Sequence, residues 1–123
     1  MRRLRHLVTA LLGLGLAWAA VPSPCAAHTL PVRSLPAAGA VLDEAPREVW
    51  IRFDGQLEKT LCTLRVEDGD GKRIDLRPKI RGNEPAVLRA ALPPLATGRY
   101  RVRWRAVGTD GHATVGDYTF RIR

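Results

Sequence analysis

An all-β fold is expected for residues 28–123, on three observations: short stretches of period-2 alternation, Gly, Pro and Asp clusters between them, and no helical periodicity. The clearest stretch is 99–106, where Tyr100, Val102, Trp104 and Ala106 alternate with Arg99, Arg101, Arg103 and Arg105. Successive side chains of an extended strand point to opposite faces, so this pattern buries one face and wets the other. Val49, Ile51 and Phe53 alternate with Trp50 and Arg52 in the same way, as do Tyr118, Phe120 and Ile122 with Thr119, Arg121 and Arg123. Shorter runs at 64–67, 73–76 and 87–92 lie between turn residues such as Asp70-Gly71, Arg81-Gly82-Asn83 and Pro93-Pro94. A first segment near 32–35 is confined to a sheet edge by Pro31 and Pro36. About seven short antiparallel strands in under 100 residues predict an immunoglobulin-like Greek-key β-sandwich or barrel.

Residues 1–27 are set aside because they carry the three parts of a secretory signal. Arg2, Arg3 and Arg5 form a basic start, residues 7–21 are apolar without a charge, and Cys25-Ala26-Ala27 supplies small residues after the Pro22-Ser23-Pro24 break. The apolar run falls short of the roughly 20 residues that span a bilayer. Pro24, directly before Cys25, disfavours acylation of that cysteine. Cleavage after Ala27 is expected, with Ala26 as the second candidate, and leaves one domain of 96 of the 123 residues, 28–123. Lys and Arg fall from 20 to 17 against 12 Asp and Glu, so the mature domain carries about +5. Cys62 becomes its only cysteine, which excludes an internal disulfide; the expectation is a buried small apolar side chain within a strand.

The chain has three histidines, and His6 leaves with the signal, so His28 and His112 are the whole imidazole supply of the mature domain. A histidine at the first position offers its α-amine and its ring nitrogen to one metal ion, closing a chelate ring. His112 supplies a third nitrogen and Asp110 an oxygen. Such a tetragonal N,O set suits Cu(II), which heads the divalent affinity series. Asp110-Gly111-His112 follows the strand ending near Val107, and Gly111 permits the tight turn that aims both side chains one way. The plainer alternative is a hairpin turn with an incidental histidine.

Several further residues form a wider pattern: His28, Ser34-Leu35-Pro36-Ala37-Ala38-Gly39-Ala40, Ala45-Pro46, Arg52-Phe53, Leu92-Pro93, Gly98-Arg99-Tyr100, and Trp104 through His112 with Gly116 and Phe120. In these the chain resembles the CopC family of periplasmic copper-binding proteins. The resemblance covers essentially the whole mature region and implies a Greek-key sandwich with a Cu(II) site at His28, Asp110 and His112. It also implies a periplasmic protein of copper homeostasis and resistance, with copper and an inner-membrane transporter of the CopD type as partners. Two departures stand out. Met1 is the only methionine, so the Met-rich Cu(I) loop of some members is absent. Where some members place a Glu after the early-strand Phe, this chain has Asp54 and Gly55 after Phe53.

Other features have plain readings. Asp68-Gly69-Asp70-Gly71 lacks the later ligands of a calcium loop and reads as a turn. The arginine row at 99–105, with Arg121 and Arg123, reads as a solvated outer face; it lacks the interleaved exposed aromatics that stack on bases, and nucleic acid is not an expected partner. Two other function classes stay open: a small histidine-brace oxidative copper enzyme, for which 96 residues leave little substrate surface, and a metal-free immunoglobulin-like interaction module. Copper binding without catalysis is the expectation.

Overall fold

The computed structural model describes residues 29–123, so the expected signal segment and His28 lie outside the described residues. Seven strands form two sheets: β1 (Pro31–Leu35), β2 (Val41–Leu42), β3 (Glu48–Phe53), β4 (Thr63–Glu67), β5 (Val87–Ala91), β6 (Gly98–Val107) and β7 (Ala113–Ile122). One sheet has the order β1-β3-β5 and the other β2-β7-β6-β4. The chain changes sheet at every connection until the β6–β7 hairpin, which makes a two-layer all-β sandwich with β1 at an edge, as Pro31 and Pro36 required.

The alternation expected from the sequence is the alternation observed. β6 buries Tyr100, Val102 and Ala106 and exposes its four arginines, while β3 buries Val49, Ile51 and Phe53. With Leu64, Val66, Leu88, Ala90, Phe120 and Ile122 these side chains fill the space between the sheets. Each fully buried Val, Leu, Ile or Phe contributes about 1.5–3 kcal/mol relative to an exposed one. Tyr100 stacks on Phe120 with ring centroids 5.4 Å apart, and Phe53 meets Trp104 edge-on at 5.3 Å. The Tyr100 hydroxyl donates to the Ala96 carbonyl at 2.7 Å, which satisfies the one polar group this ring takes inside.

Three expectations need correction. Residues 73–76 do not form a strand. Ile74 donates to the Val66 carbonyl at 2.8 Å and Leu76 to the Ala91 carbonyl at 3.0 Å, so the segment crosses from the β4 edge of one sheet to the β5 edge of the other. A segment that divides its hydrogen bonds between two sheets has no continuous ladder on either. The seventh strand is instead β2, and it pairs with β7 in parallel, Val41 against Arg121 and Leu42 against Ile122, so the pairing is not antiparallel throughout. Asp68 makes the expected turn: its Oδ1 accepts the N–H groups of Asp70 at 3.0 Å and Lys72 at 2.9 Å. Cys62 sits half-buried just before β4 rather than within it. Its Sγ exchanges weak hydrogen bonds with the Val107 backbone, and burial pushes the thiol up from its ordinary pKa.

Candidate metal centre

The two ten-residue strands β6 and β7 pair along their whole length, from Gly98 against Ile122 to Val107 against Ala113, and residues 108–112 connect them at one end of the sandwich. Gly108 donates to the His112 carbonyl and Gly111 to the Gly108 carbonyl, both at 2.9 Å, which closes the loop into a tight turn. Gly111 lies at φ +86°, a left-handed conformation that L side chains rarely adopt. The turn sets Asp110 and His112 side by side. Asp110 Oδ1 accepts the His112 backbone N–H at 2.9 Å, and Asp110 Oδ2 lies 3.2 Å from His112 Nδ1. These two contacts hold the Asp110 carboxyl below the usual carboxylate range. Both side chains remain open to solvent, His112 at 53% and Asp110 at 37%.

The same turn carries the beginning of the described chain. Thr29 is 3% exposed, although threonine is ordinarily on the surface. Thr114 Oγ1 donates to the Thr29 carbonyl at 2.6 Å. Leu30 donates to Asp54 Oδ1 at 2.7 Å and accepts from the Asp54 N–H at 3.0 Å. Thr29-Leu30 is therefore tied to the end of β3 on one sheet and to β7 on the other. A Cβ added at Gly108 would lie 2.2 Å from Thr29 Oγ1 and 2.8 Å from Asp110 Oδ1, so the absence of a side chain there lets Thr29 seat against the loop. Residue 28 is joined by one peptide bond to this buried threonine.

Sequence reasoning placed Asp110 and His112 together, and they are together. His28 lies outside the described residues. Among the described residues no group of three or more His, Cys, Asp or Glu side chains is arranged to hold a metal ion. Sequence reasoning missed the seat formed by Thr29, Gly108 and Thr114. Asp54, which stands where some members place a Glu, here anchors Leu30.

A profile of the CopC domain matches residues 31–123. The chain belongs to the CopC family. Crystallographic CopC from Methylosinus trichosporium OB3b superposes with a TM-score of 0.73 at 30% identity, covering 77% of this chain and 93% of that one. PcoC, a methionine-rich copper resistance protein from Escherichia coli, superposes with a TM-score of 0.66 at 27% identity, covering 79% and 100%. Among curated relatives, the copper transport protein CutJ of Bacillus subtilis (strain 168) is 30% identical over 104 residues, which are 83% of this chain but only 19% of CutJ. Protein YobA of E. coli (strain K12) is 30% identical over 100 residues, 79% of this chain and 80% of YobA. This CopC domain thus corresponds to a minor part of one relative and most of another.

The seat predicts the effect of adding one methyl group at Gly108, where it would meet both Thr29 Oγ1 and Asp110 Oδ1. Gly108→Ala should destabilise the fold by about 1–3 kcal/mol, because Thr29 has to leave its place. Thermal melting of the variant measures this, and a wild-type value would remove the seat from the account.

Proposed function

We propose that the protein is a periplasmic Cu(II) carrier that binds one ion through His28, Asp110 and His112 after residues 1–27 are removed, and that it sequesters copper or hands it on without chemical conversion. The observation that carries this reading is the docking of Thr29, the neighbour of residue 28, against the loop that presents the carboxylate of Asp110 and the imidazole of His112. His28 would supply the α-amine and imidazole nitrogens, His112 a further nitrogen and Asp110 an oxygen, a donor set suited to Cu(II). The names of CutJ and PcoC, a copper transport and a copper resistance protein, support the cargo. PcoC is described as methionine-rich; this chain has Met1 alone, so thioether coordination of Cu(I) is not part of the proposal. An inner-membrane transporter of the CopD type is the proposed recipient or donor.

The 3.2 Å contact of Asp110 Oδ2 with His112 Nδ1 favours a second reading of Asp110, in which the carboxylate orients the imidazole so that Nε2 faces the metal. Asp110→Asn separates the two. Loss of an equatorial oxygen alters the paramagnetic resonance parameters of bound Cu(II), whereas loss of an orienting partner weakens affinity with those parameters kept.

The test of the whole reading is a Cu(II) titration of the secreted protein, its first residue fixed by mass spectrometry, followed by electron paramagnetic resonance. His112→Ala should lower affinity by at least tenfold and remove one nitrogen from the spectrum. The α-amine ordinarily has a pKa of about 7.7–8.0 and imidazole about 6.5, so protons compete for these nitrogens as pH falls. The Asp110 carboxyl, held low, stays ionised through the same range. Affinity should therefore drop between pH 7.5 and about 5.5 on account of the nitrogens. A chain that begins elsewhere than His28 yet binds as tightly, or an affinity indifferent to pH, would sink the proposal.

A further inference from the structure

The outer face of the four-stranded sheet concentrates charge more than the sequence row alone indicates. Register places Arg65 beside Arg103, Arg99 beside Arg121, and Glu67 and Thr119 on either side of Arg101, all on the side away from the core. Six arginines (65, 99, 101, 103, 105 and 121) share this face with two carboxylates, Glu67 and Asp117. Glu67 pairs with Arg65 at 2.9 Å and Arg103 at 3.6 Å, and Asp117 with Arg101 at 3.8 Å. Among the described residues, Arg99, Arg105 and Arg121 have no carboxylate within ion-pair distance. The strands of this face thus carry a surplus of about four positive charges, with Asp68 and Asp70 of the turn after β4 lining the groove at its Arg99 end. Opposite Arg105 the ladder places Val115, 73% exposed, and Arg105 itself donates to the carbonyl of Leu61, whose side chain is 52% exposed. This apolar end of the face adjoins the loop that carries Asp110 and His112.

We propose that this arginine face docks on the surface of an anionic phospholipid bilayer. Guanidinium groups bind phosphate oxygens in bidentate fashion, and each arginine near an anionic leaflet adds attraction that salt screens. Arginines recur every second residue along β6, about 7 Å apart, in a spacing set by the pleat. A fluid layer of headgroups can match any such spacing, whereas a folded acidic protein must present a fixed complementary array. Val115 and Leu61 are placed to enter the interfacial layer at one end. Docking in this way would hold the loop at 108–112 next to the membrane, and it does not depend on how copper is coordinated.

The experiment is co-sedimentation of the periplasmic protein with phosphatidylcholine vesicles, with and without about one-third phosphatidylglycerol, at low and high salt. Binding is expected only to the anionic vesicles and should fall by more than tenfold when salt rises from about 50 to 300 mM. The triple variant Arg99→Gln, Arg105→Gln, Arg121→Gln removes the unpaired charges without stranding a carboxylate and should weaken partitioning on the order of 100-fold. The variant Arg77→Gln, Lys79→Gln, Arg81→Gln, on the loop beside the other sheet, removes as many charges and should change it by less than about threefold. Equal binding to neutral vesicles, no binding to anionic ones, or equal losses in both triple variants would overturn the proposal. Binding of the wild type to soluble polyglutamate but not to anionic vesicles would replace it with an acidic protein partner. The salt series needs no variant, so a face variant that fails to fold leaves the proposal open to refutation.

Discussion

Acetylating the α-amine of the processed chain should lower its Cu(II) affinity by roughly a thousandfold, more than His112→Ala does. In the proposed site the amine and imidazole of His28 would bind a common ion as an intramolecular pair, and well-oriented intramolecular groups reach effective molarities of about 10⁵–10⁸ M. Blocking the amine would forfeit that chelate. His112→Ala would remove a donor that enters separately, across the loop. Lysines acetylated in the same reaction are not donors in the proposed set. Titration calorimetry against a competing chelator gives the affinity, and electron paramagnetic resonance counts the nitrogens. An acetylated protein with an unchanged spectrum would mean that the ring nitrogens alone hold the ion, and the proposed chemistry of the first residue would be wrong.

Phe120→Ala should be the most damaging single truncation for stability. Phe120 is 1% exposed, lies opposite Tyr100 in the β6–β7 ladder, and stacks on that ring. Large-to-small truncation of a buried aromatic costs about 3–5 kcal/mol, against a total stability of about 5–15 kcal/mol for a domain. At about 4–8 °C per kcal/mol for this size, the melting temperature should fall by about 12–40 °C. Cys62 is the only cysteine in residues 28–123, so no intramolecular disulfide offsets the loss. Thermal melting by circular dichroism measures it. A drop of only a few degrees would show that the sandwich repacks around the void, and the core would then be less specific than its burial indicates.

How much of this was legible in the sequence depended on periodicity. The row from Arg99 to Ala106 was readable because one face of β6 is buried and the other wet, which leaves a period of two in the chain. Residues 73–76 imitate that pattern, yet their hydrogen bonds go to two different sheets, and nothing in the order of residues distinguishes a strand from a strap. β2 is two residues long, too short for any period to register. Asp110 and His112 were legible through scarcity, as a histidine near an aspartate in a domain with two imidazoles. The seat of Thr29 was not, because it depends on what Gly108 lacks. The Arg73–Asp75 and Arg123–Asp43 pairs were likewise invisible; the first places Asp75 where its Oδ1 also accepts the Val66 N–H at 2.7 Å.

The β6–β7 hairpin closes over neighbouring residues, while the bond from Thr114 to Thr29 joins positions 85 apart. Local pairs form with little loss of chain entropy and long loops close late, so the Asp110–His112 turn is expected to form early and the Thr29 seat late. An ion held by residue 28 and the turn together, as proposed, would reinforce contacts that form late. Such reinforcement would leave the speed of folding nearly unchanged and lengthen the lifetime of the folded chain. On that proposal copper would be cargo and a kinetic latch at once, and a protein emptied of it would be the one exposed to proteases.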